Sequence, residues 1–254
     1  MFKGCVSLTA PPKLPATVLS PLCYSGMFSG CESLLSAPYL SVKTMELCCY
    51  RGMFQGCTSL TAAPELPATV LAHACYETMF MDCHSLSIAP ALPANNLNGW
   101  CYESMFARCT SLVVAPELPA TTLAEYCYSN MFTCCMSLTT APELPATTLA
   151  TYCYSNMFQS CTGLTTPPSV LPATTLADTC YYRMFQNCNS LTSAPELSAT
   201  TLVTRCYNGM FHGCQSLTYI KCLATDISES DCTSNWMDGV AATGTFVKAS
   251  SMSS

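Results

Sequence analysis

Apolar residues return along this chain with two different rhythms inside one repeating unit. A representative unit reads MFTCCMSLTTAPELPATTLATYCYSN from Met131. Its stretch Leu138-Thr139-Thr140-Ala141 is short and Thr-rich, as a strand should be, and Pro142 halts it. Glu143-Leu144-Pro145-Ala146 then makes a turn. Beyond it, Leu149, Cys153, Met157 and Cys161 recur every fourth residue, with Ala150, Tyr154 and Phe158 tracking beside them. Residues four apart share one face of a helix, so this segment predicts a short helix or helical turn, with Thr147 or Thr148 as its N-cap. A 3₁₀ or irregular segment fits the same spacing.

The unit repeats. Met-Phe recurs at Met1, Met27, Met53, Met79, Met105, Met131, Met157, Met184 and Met210, at steps of 26 residues except for one of 27. The extra residue falls in Pro167-Pro168-Ser169-Val170-Leu171. Eight units fill residues 1–209, and a ninth begins at Met210. An array this regular predicts a solenoid, whose units stack and cannot fold alone. The expected fold is an α/β solenoid: a leucine-rich-repeat horseshoe with one short parallel strand and one short helix or helical turn per 26-residue coil. Strands of successive coils should lie about 4.8 Å apart. Residues 1–221 form the expected solenoid. Residues 222–254 form an expected C-terminal cap, with Thr245-Phe246-Val247 as a strand and Ser250 to Ser254 frayed.

Composition removes several functional classes. Apolar types make up 50% of the 254 residues and charged types only 9%, which is the opposite of a disordered chain. Nine Lys plus Arg against fifteen Asp plus Glu, net −6, speaks against a nucleic-acid partner. No apolar run reaches the roughly 18 residues of a membrane span. No secretory signal is visible at Met1-Phe2-Lys3-Gly4-Cys5.

Of the 21 cysteines, nine follow Met-Phe (Cys5, Cys31, Cys57, Cys83, Cys109, Cys135, Cys161, Cys188, Cys214) and eight precede Tyr (Cys23, Cys49, Cys75, Cys101, Cys127, Cys153, Cys180, Cys206). Buried thiols, disulfides and a metal site are the three readings. Within a helical unit the columns would stand about 12 Å apart, beyond the roughly 7 Å that a disulfide spans. Rungs of one column should point the same way, into the core. No Cys-x-x-Cys pair occurs, and no His stands at ligand spacing. Ladders of buried thiols are therefore favoured. Cys222 and Cys232 are the better disulfide candidates, and Cys48 and Cys134 stand outside the columns as candidate exposed thiols.

The unit Cys-x-Ser-Leu-Thr-x-Ala-Pro-x-Leu-Pro-Ala-Thr-Thr-Leu-Ala-x-x-Cys-Tyr-x-x-Met-Phe-x-x-Cys resembles the BspA-like leucine-rich repeats of bacterial surface and secreted proteins, particularly of gut anaerobes. The resemblance covers residues 1–221, nearly 90% of the chain. The family's Ala-Phe-x-x-Cys-x-x-Leu core stands here as Met-Phe-x-x-Cys-x-Ser-Leu, and the common Leu-x-x-Leu-x-Leu-x-x-Asn form is absent. The resemblance implies an extracellular or cell-surface protein that binds or adheres to a protein or glycan, without catalysis or cofactor. Similar repeats with tails like Tyr219-Ile220-Lys221-Cys222 also look like parts of phage-encoded proteins. That makes a receptor-recognition or structural module the alternative, with an architectural spacer third.

Comparison of the units separates fixed from variable positions, and the variable ones are expected to face solvent. One variable slot follows Ala-Pro (Lys13, Tyr39, Glu65, Ala91, Glu117, Glu143, Glu196). Another precedes Cys-Tyr and holds Trp100, Tyr126 and Tyr152 in three consecutive units. A third lies between Cys-Tyr and Met-Phe and includes Arg51, Glu77, Glu103, Asn130, Asn156 and Arg183. The residue after the strand leucine is mostly threonine, as at Thr61, Thr139, Thr165 and Thr192, and strand alternation puts it on an exposed sheet face. These threonines and the three aromatics form the candidate binding surface, although β-propensity alone would also select threonine there. His73, His84 and His212 are scattered over separate units, and no catalytic, phosphate-binding or metal motif occurs. Because the chain starts inside a unit, a larger parent chain or a neighbouring subunit is expected to cover the N-terminal coil.

Overall fold

The computed structural model describes residues 1–252; Ser253 and Ser254, part of the tail expected to fray, lie outside the described residues. Each repeat makes one coil, and successive coils are laced by backbone hydrogen bonds. Phe28 N–H donates to Met53 C=O, Phe54 to Met79 and Phe80 to Met105, each at 2.9 Å. Identical residues one period apart therefore sit directly above one another.

The strands are parallel but shorter than expected. Among the described residues, four strands occur: β1 Val170–Leu171, β2 Glu196–Leu197, β3 Tyr219–Cys222 and β4 Thr245–Lys248. They form one parallel sheet in chain order. In the earlier coils, pairing shrinks to single parallel bridges. Ser36↔Ala62, Ile88↔Val114 and Thr140↔Thr166 form one line, and Thr44↔Val70, Val70↔Asn96 and Thr122↔Thr148 form another. The reason is local. Pro142 follows the bridge at Thr140 by two residues, and a proline has no N–H to extend the ladder.

The short helix expected in each coil is absent; no helix occurs among the described residues. Its place is taken by a chain of overlapping turns. Cys153, Ser155, Met157, Gln159 and Cys161 donate to the carbonyl three residues back, at 3.1–3.2 Å. The residues between them donate to the next coil instead: Tyr154 to Cys180 at 3.0 Å, Asn156 to Tyr182 at 2.8 Å and Phe158 to Met184 at 2.9 Å. An α-helix would keep every N–H inside its own segment; here half of them hold the stack together. Every fourth residue is left-handed, with φ of 58° at Tyr152, 54° at Asn156 and 59° at Ser160. The four-residue rhythm of apolar side chains is thus that of the turns. Helix and turn chain both place residues four apart on one side, so spacing alone does not separate them.

That geometry stacks like on like. The Phe column is buried from Phe28 to Phe211, with ring centroids 5.6 Å apart at Phe54–Phe80 and Phe80–Phe106. A Tyr column runs beside it, at 5.8 Å for Tyr76–Tyr102 and Tyr102–Tyr128. Residues 223–248 continue the same path with a different sequence. Phe211 N–H donates to Trp236 C=O, and β4 pairs with β3 from Tyr219↔Thr245 to Cys222↔Lys248. The Trp236 ring lies 6.2 Å from Tyr207 and 6.3 Å from Phe211, meeting the last rung of both ladders.

The cysteines are free thiols throughout, including Cys222 and Cys232, the pair expected as a disulfide candidate. Cys232 instead donates its thiol to Ile227 C=O at 3.3 Å. In the Met-Phe column the thiol has a definite role. Cys57, Cys83, Cys109 and Cys161 each donate Sγ–H to the Phe carbonyl of the preceding coil at 3.0–3.1 Å. That carbonyl already accepts the N–H three residues on in its own coil, as Phe54 C=O does from Cys57 at 3.0 Å. The thiol fills the second lone pair of a buried carbonyl while packing as a small apolar group. Valine would fill the volume without the bond. Cys48 and Cys134, outside the columns, are half-buried.

Candidate binding surface

The slot before Cys-Tyr is left-handed in every coil from Leu22 to Asp231, and its φ is 62° at Trp100, 55° at Tyr126 and 58° at Tyr152. A bulky residue pays about 1–2 kcal/mol for that conformation. At these three positions stacking offsets part of it: Trp100–Tyr126 centroids are 4.1 Å apart and Tyr126–Tyr152 are 4.6 Å apart, with interplanar angles of 20° and 8°. Such pairs contribute about 0.5–1.5 kcal/mol each beyond their area. The structure therefore brings the three aromatics together as one half-buried strip. Its inner ring faces are used up by stacking, so it presents ring edges and two terminal faces.

The threonines form a separate column. Thr61, Thr139, Thr165 and Thr192 are all exposed. Their hydroxyls and carbonyls lace neighbouring coils: Thr165 Oγ1 donates to Thr139 C=O at 3.1 Å, Thr61 Oγ1 to Leu35 C=O at 3.4 Å, and Thr218 Oγ1 to Thr192 C=O at 3.2 Å. Simple strand alternation does not describe this face. Leu35 with Ser36, Val113 with Val114, and Thr139 with Thr140 are exposed in succession. Among the described residues, no ring contact or hydrogen bond joins this column to the aromatic strip.

Two shallow grooves open between coils along the Ala-Pro-Glu-Leu-Pro edge. The larger, about 630 Å³, is lined by Val113, Val114, Pro116, Glu117, Pro142 and Glu143 among others. The glutamates of that slot also bind their own chain. Glu143 accepts from Ser169 Oγ at 2.8 Å, just where the 27-residue step inserts its extra residue, and Glu196 pairs with Lys221 at 2.8 Å.

The third variable slot does not uniformly face solvent. Glu77 is only 9% exposed and is held by Arg51 at 2.7 Å, and Ser129 and Ser155 in the same slot are buried. Beside it, burial holds the Glu103 carboxyl above its usual range, opposed by the Ser104 hydroxyl bonded to it. The slot lies where one coil's turns meet the next, so short polar residues and an ion pair both satisfy it.

One feature escaped the sequence reading. After Tyr152 the strip ends, because the next coil puts Thr179 in the slot, and a polar groove of about 580 Å³ opens there. Tyr152, Tyr182, Arg183, Arg205, Asn208 and Asp231 are among its lining residues. The available signal was the change of the slot from aromatic to Thr179, Arg205 and Asp231 along the period.

No group of three His, Cys, Asp or Glu side chains suited to a metal ion occurs among the described residues, and no helix there is long and apolar enough to cross a membrane. His84 Nδ1 lies 3.0 Å from Arg108 C=O, a structural contact between neighbouring coils.

No family model matches the chain, and no curated protein does. Among solved structures, a leucine-rich repeat protein from Bacteroides ovatus ATCC 8483 is 19% identical, with 94% of this chain and 67% of that one covered, at a TM-score of 0.49. That likeness is too slight to carry a function or a fold from one chain to the other. What this chain shows by its own geometry is a parallel repeat solenoid with a thiol-lined aromatic core.

Proposed function

We propose that this chain is a BspA-like, non-catalytic binding or adhesion module of the cell surface or extracellular space, recognising a protein or glycan through the outside of the solenoid. One observation carries the reading: Trp100, Tyr126 and Tyr152, variable positions beside a repeated core, form a continuous strip in left-handed slots where a bulky side chain costs about 1–2 kcal/mol. Structure that costs stability at the surface points to use there, and aromatic side chains are favoured at recognition sites. The horseshoe curvature and the surface location rest on the repeat resemblance. Residues 222–254 serve as the closing coil in this reading, with Trp236 covering the ends of both aromatic ladders.

The test is a screen of the full chain against glycans and extracellular-matrix proteins, repeated with Trp100→Asn, Tyr126→Asn and Tyr152→Asn combined. Asparagine tolerates the left-handed backbone, so the variant should melt within a few degrees of the parent. Binding to at least one target should fall about tenfold or more, the loss expected of aromatic anchors. A chain that binds nothing in the screen, or a variant that binds as the parent does, contradicts the proposal.

A further inference from the structure

The strip has a free end, and the chemistry beside it is unlike the rest of the surface. One face of Tyr152 is covered by Tyr126 at 4.6 Å; the other looks toward the coil of Thr179, whose small side chain leaves the groove open. Tyr182 lines the same groove and carries the Arg183 guanidinium over its ring, 4.8 Å from the centroid. A guanidinium stacked this way keeps its N–H donors at the edge of its plane, available to an acceptor. Among the described residues no carboxylate lies within 4.0 Å of Arg183, whereas Arg205 is paired with Asp231 at 3.5 Å. Two arginines against one aspartate leave the groove one positive charge, on a chain whose net charge is −6. A volume of about 580 Å³ is in the range of small-molecule sites.

We propose that this groove binds a carboxylate-bearing saccharide, a sugar ring lying on the free face of Tyr152 and its carboxylate held by Arg183. The assignment rests on the binding-module reading above and narrows it to one site and one ligand class. An aromatic face suits the C–H face of a pyranose, and Arg is the side chain whose fork matches a carboxylate. Asn208 and the Arg205–Asp231 pair supply donors and acceptors for ring hydroxyls. The edge grooves, lined by proline and apolar side chains with Glu65, Glu117 and Glu143, carry negative charge and offer no such counter-charge.

Calorimetric titration of the full chain with two matched pairs of probes tests this: oligogalacturonate against its methyl ester, and sialyllactose against lactose. At least one acidic probe should bind about tenfold or more tighter than its neutral partner, as expected for a charge-assisted bidentate contact. Arg183→Gln should abolish that preference and leave the weak neutral binding in place. Tyr152→Asn should weaken acidic and neutral probes alike, and Glu32→Gln, exposed on a distant coil, should change neither. Equal affinity within both pairs, binding to neither acid, or an Arg183→Gln variant that keeps the preference would overturn the assignment. If the screen above finds a target whose binding is untouched by Arg183→Gln and Tyr152→Asn, this site falls while the binding-module reading stands. If neither screen nor titration finds a ligand, both fall.

Discussion

In reducing buffer, raising the pH is expected to unfold this chain abruptly between about pH 9 and 10. The cause is the thiol ladder. Five thiols of the Met-Phe column (Cys83, Cys109, Cys135, Cys161, Cys188) and five of the Tyr column (Cys75, Cys101, Cys127, Cys153, Cys180) are fully buried. Burial pushes Cys101, Cys109, Cys153 and Cys161 up to about 12 and raises the other six as well. An unfolded thiol titrates near 8.5. The folded value lies above the unfolded one, so the stability these groups contribute is complete below about pH 8.5 and is lost as pH rises toward the folded value. Each thiol then costs about 1.4 kcal/mol per pH unit, and ten together cost about 14 kcal/mol over one unit. That equals the whole stability of an ordinary domain. Circular dichroism against pH, read beside thiolate absorbance, should show structure and protons lost in one step. A chain still folded at pH 11 with its thiols ionised would contradict the burial of the ladder.

Phe106→Ala is expected to cost about 3–5 kcal/mol of stability. The ring is fully buried and stacks on Phe80 at 5.6 Å and on Phe132 at 5.7 Å. The Phe106 carbonyl also accepts the Cys135 thiol at 3.2 Å, so a cavity here loosens the coil on each side. In a stack where each coil touches only its neighbours, a weakened middle coil uncouples the two ends. Urea unfolding should therefore show a lower midpoint and a broader transition than the parent, whereas Glu125→Ala on the surface should stay within about 0.5 kcal/mol. A Phe106→Ala midpoint indistinguishable from the parent would mean that the aromatic ladder does not hold the coils together.

Much of this architecture was legible in the residues because a stack imposes one environment on every rung. Phe54, Cys57 and Leu60 have the same neighbours as Phe80, Cys83 and Leu86, all fully buried, so period and core appear together in the sequence. Spacing leaves helix and irregular turns open for this segment for a physical reason: Leu149, Cys153, Met157 and Cys161 would face one way in a helix and do so in a chain of turns. The discriminating signal was backbone, not side-chain, chemistry. Gly26 with Gly30, Gly52 with Gly56, and Gly209 with Gly213 stand four apart at left-handed positions, and Asn130, Asn156, Asn187 and Asp82 take the same sites elsewhere. Residues that tolerate positive φ at a strict interval of four mark turns, because a helix gives them no advantage.

The candidate surface was legible in part for the same reason. A fixed period puts Trp100, Tyr126 and Tyr152 in register, so their contact follows from their numbers. That their faces are spent on one another depends on the centroid distances, and the groove beside them gathers Tyr152, Tyr182 and Arg205 from two slots of three coils. Variation among repeats was likewise an imperfect guide to exposure, since Glu77 varies and is buried against Arg51.

The most direct measurement is a count of reactive thiols in the native chain and again in denaturant, without added reductant. A core of stacked, reduced coils predicts that the column cysteines from Cys31 to Cys214 are silent until the chain unfolds, and that all 21 cysteines then react. Most cysteines remaining unreactive in denaturant, and appearing only after reduction, would show a disulfide scaffold and contradict the account.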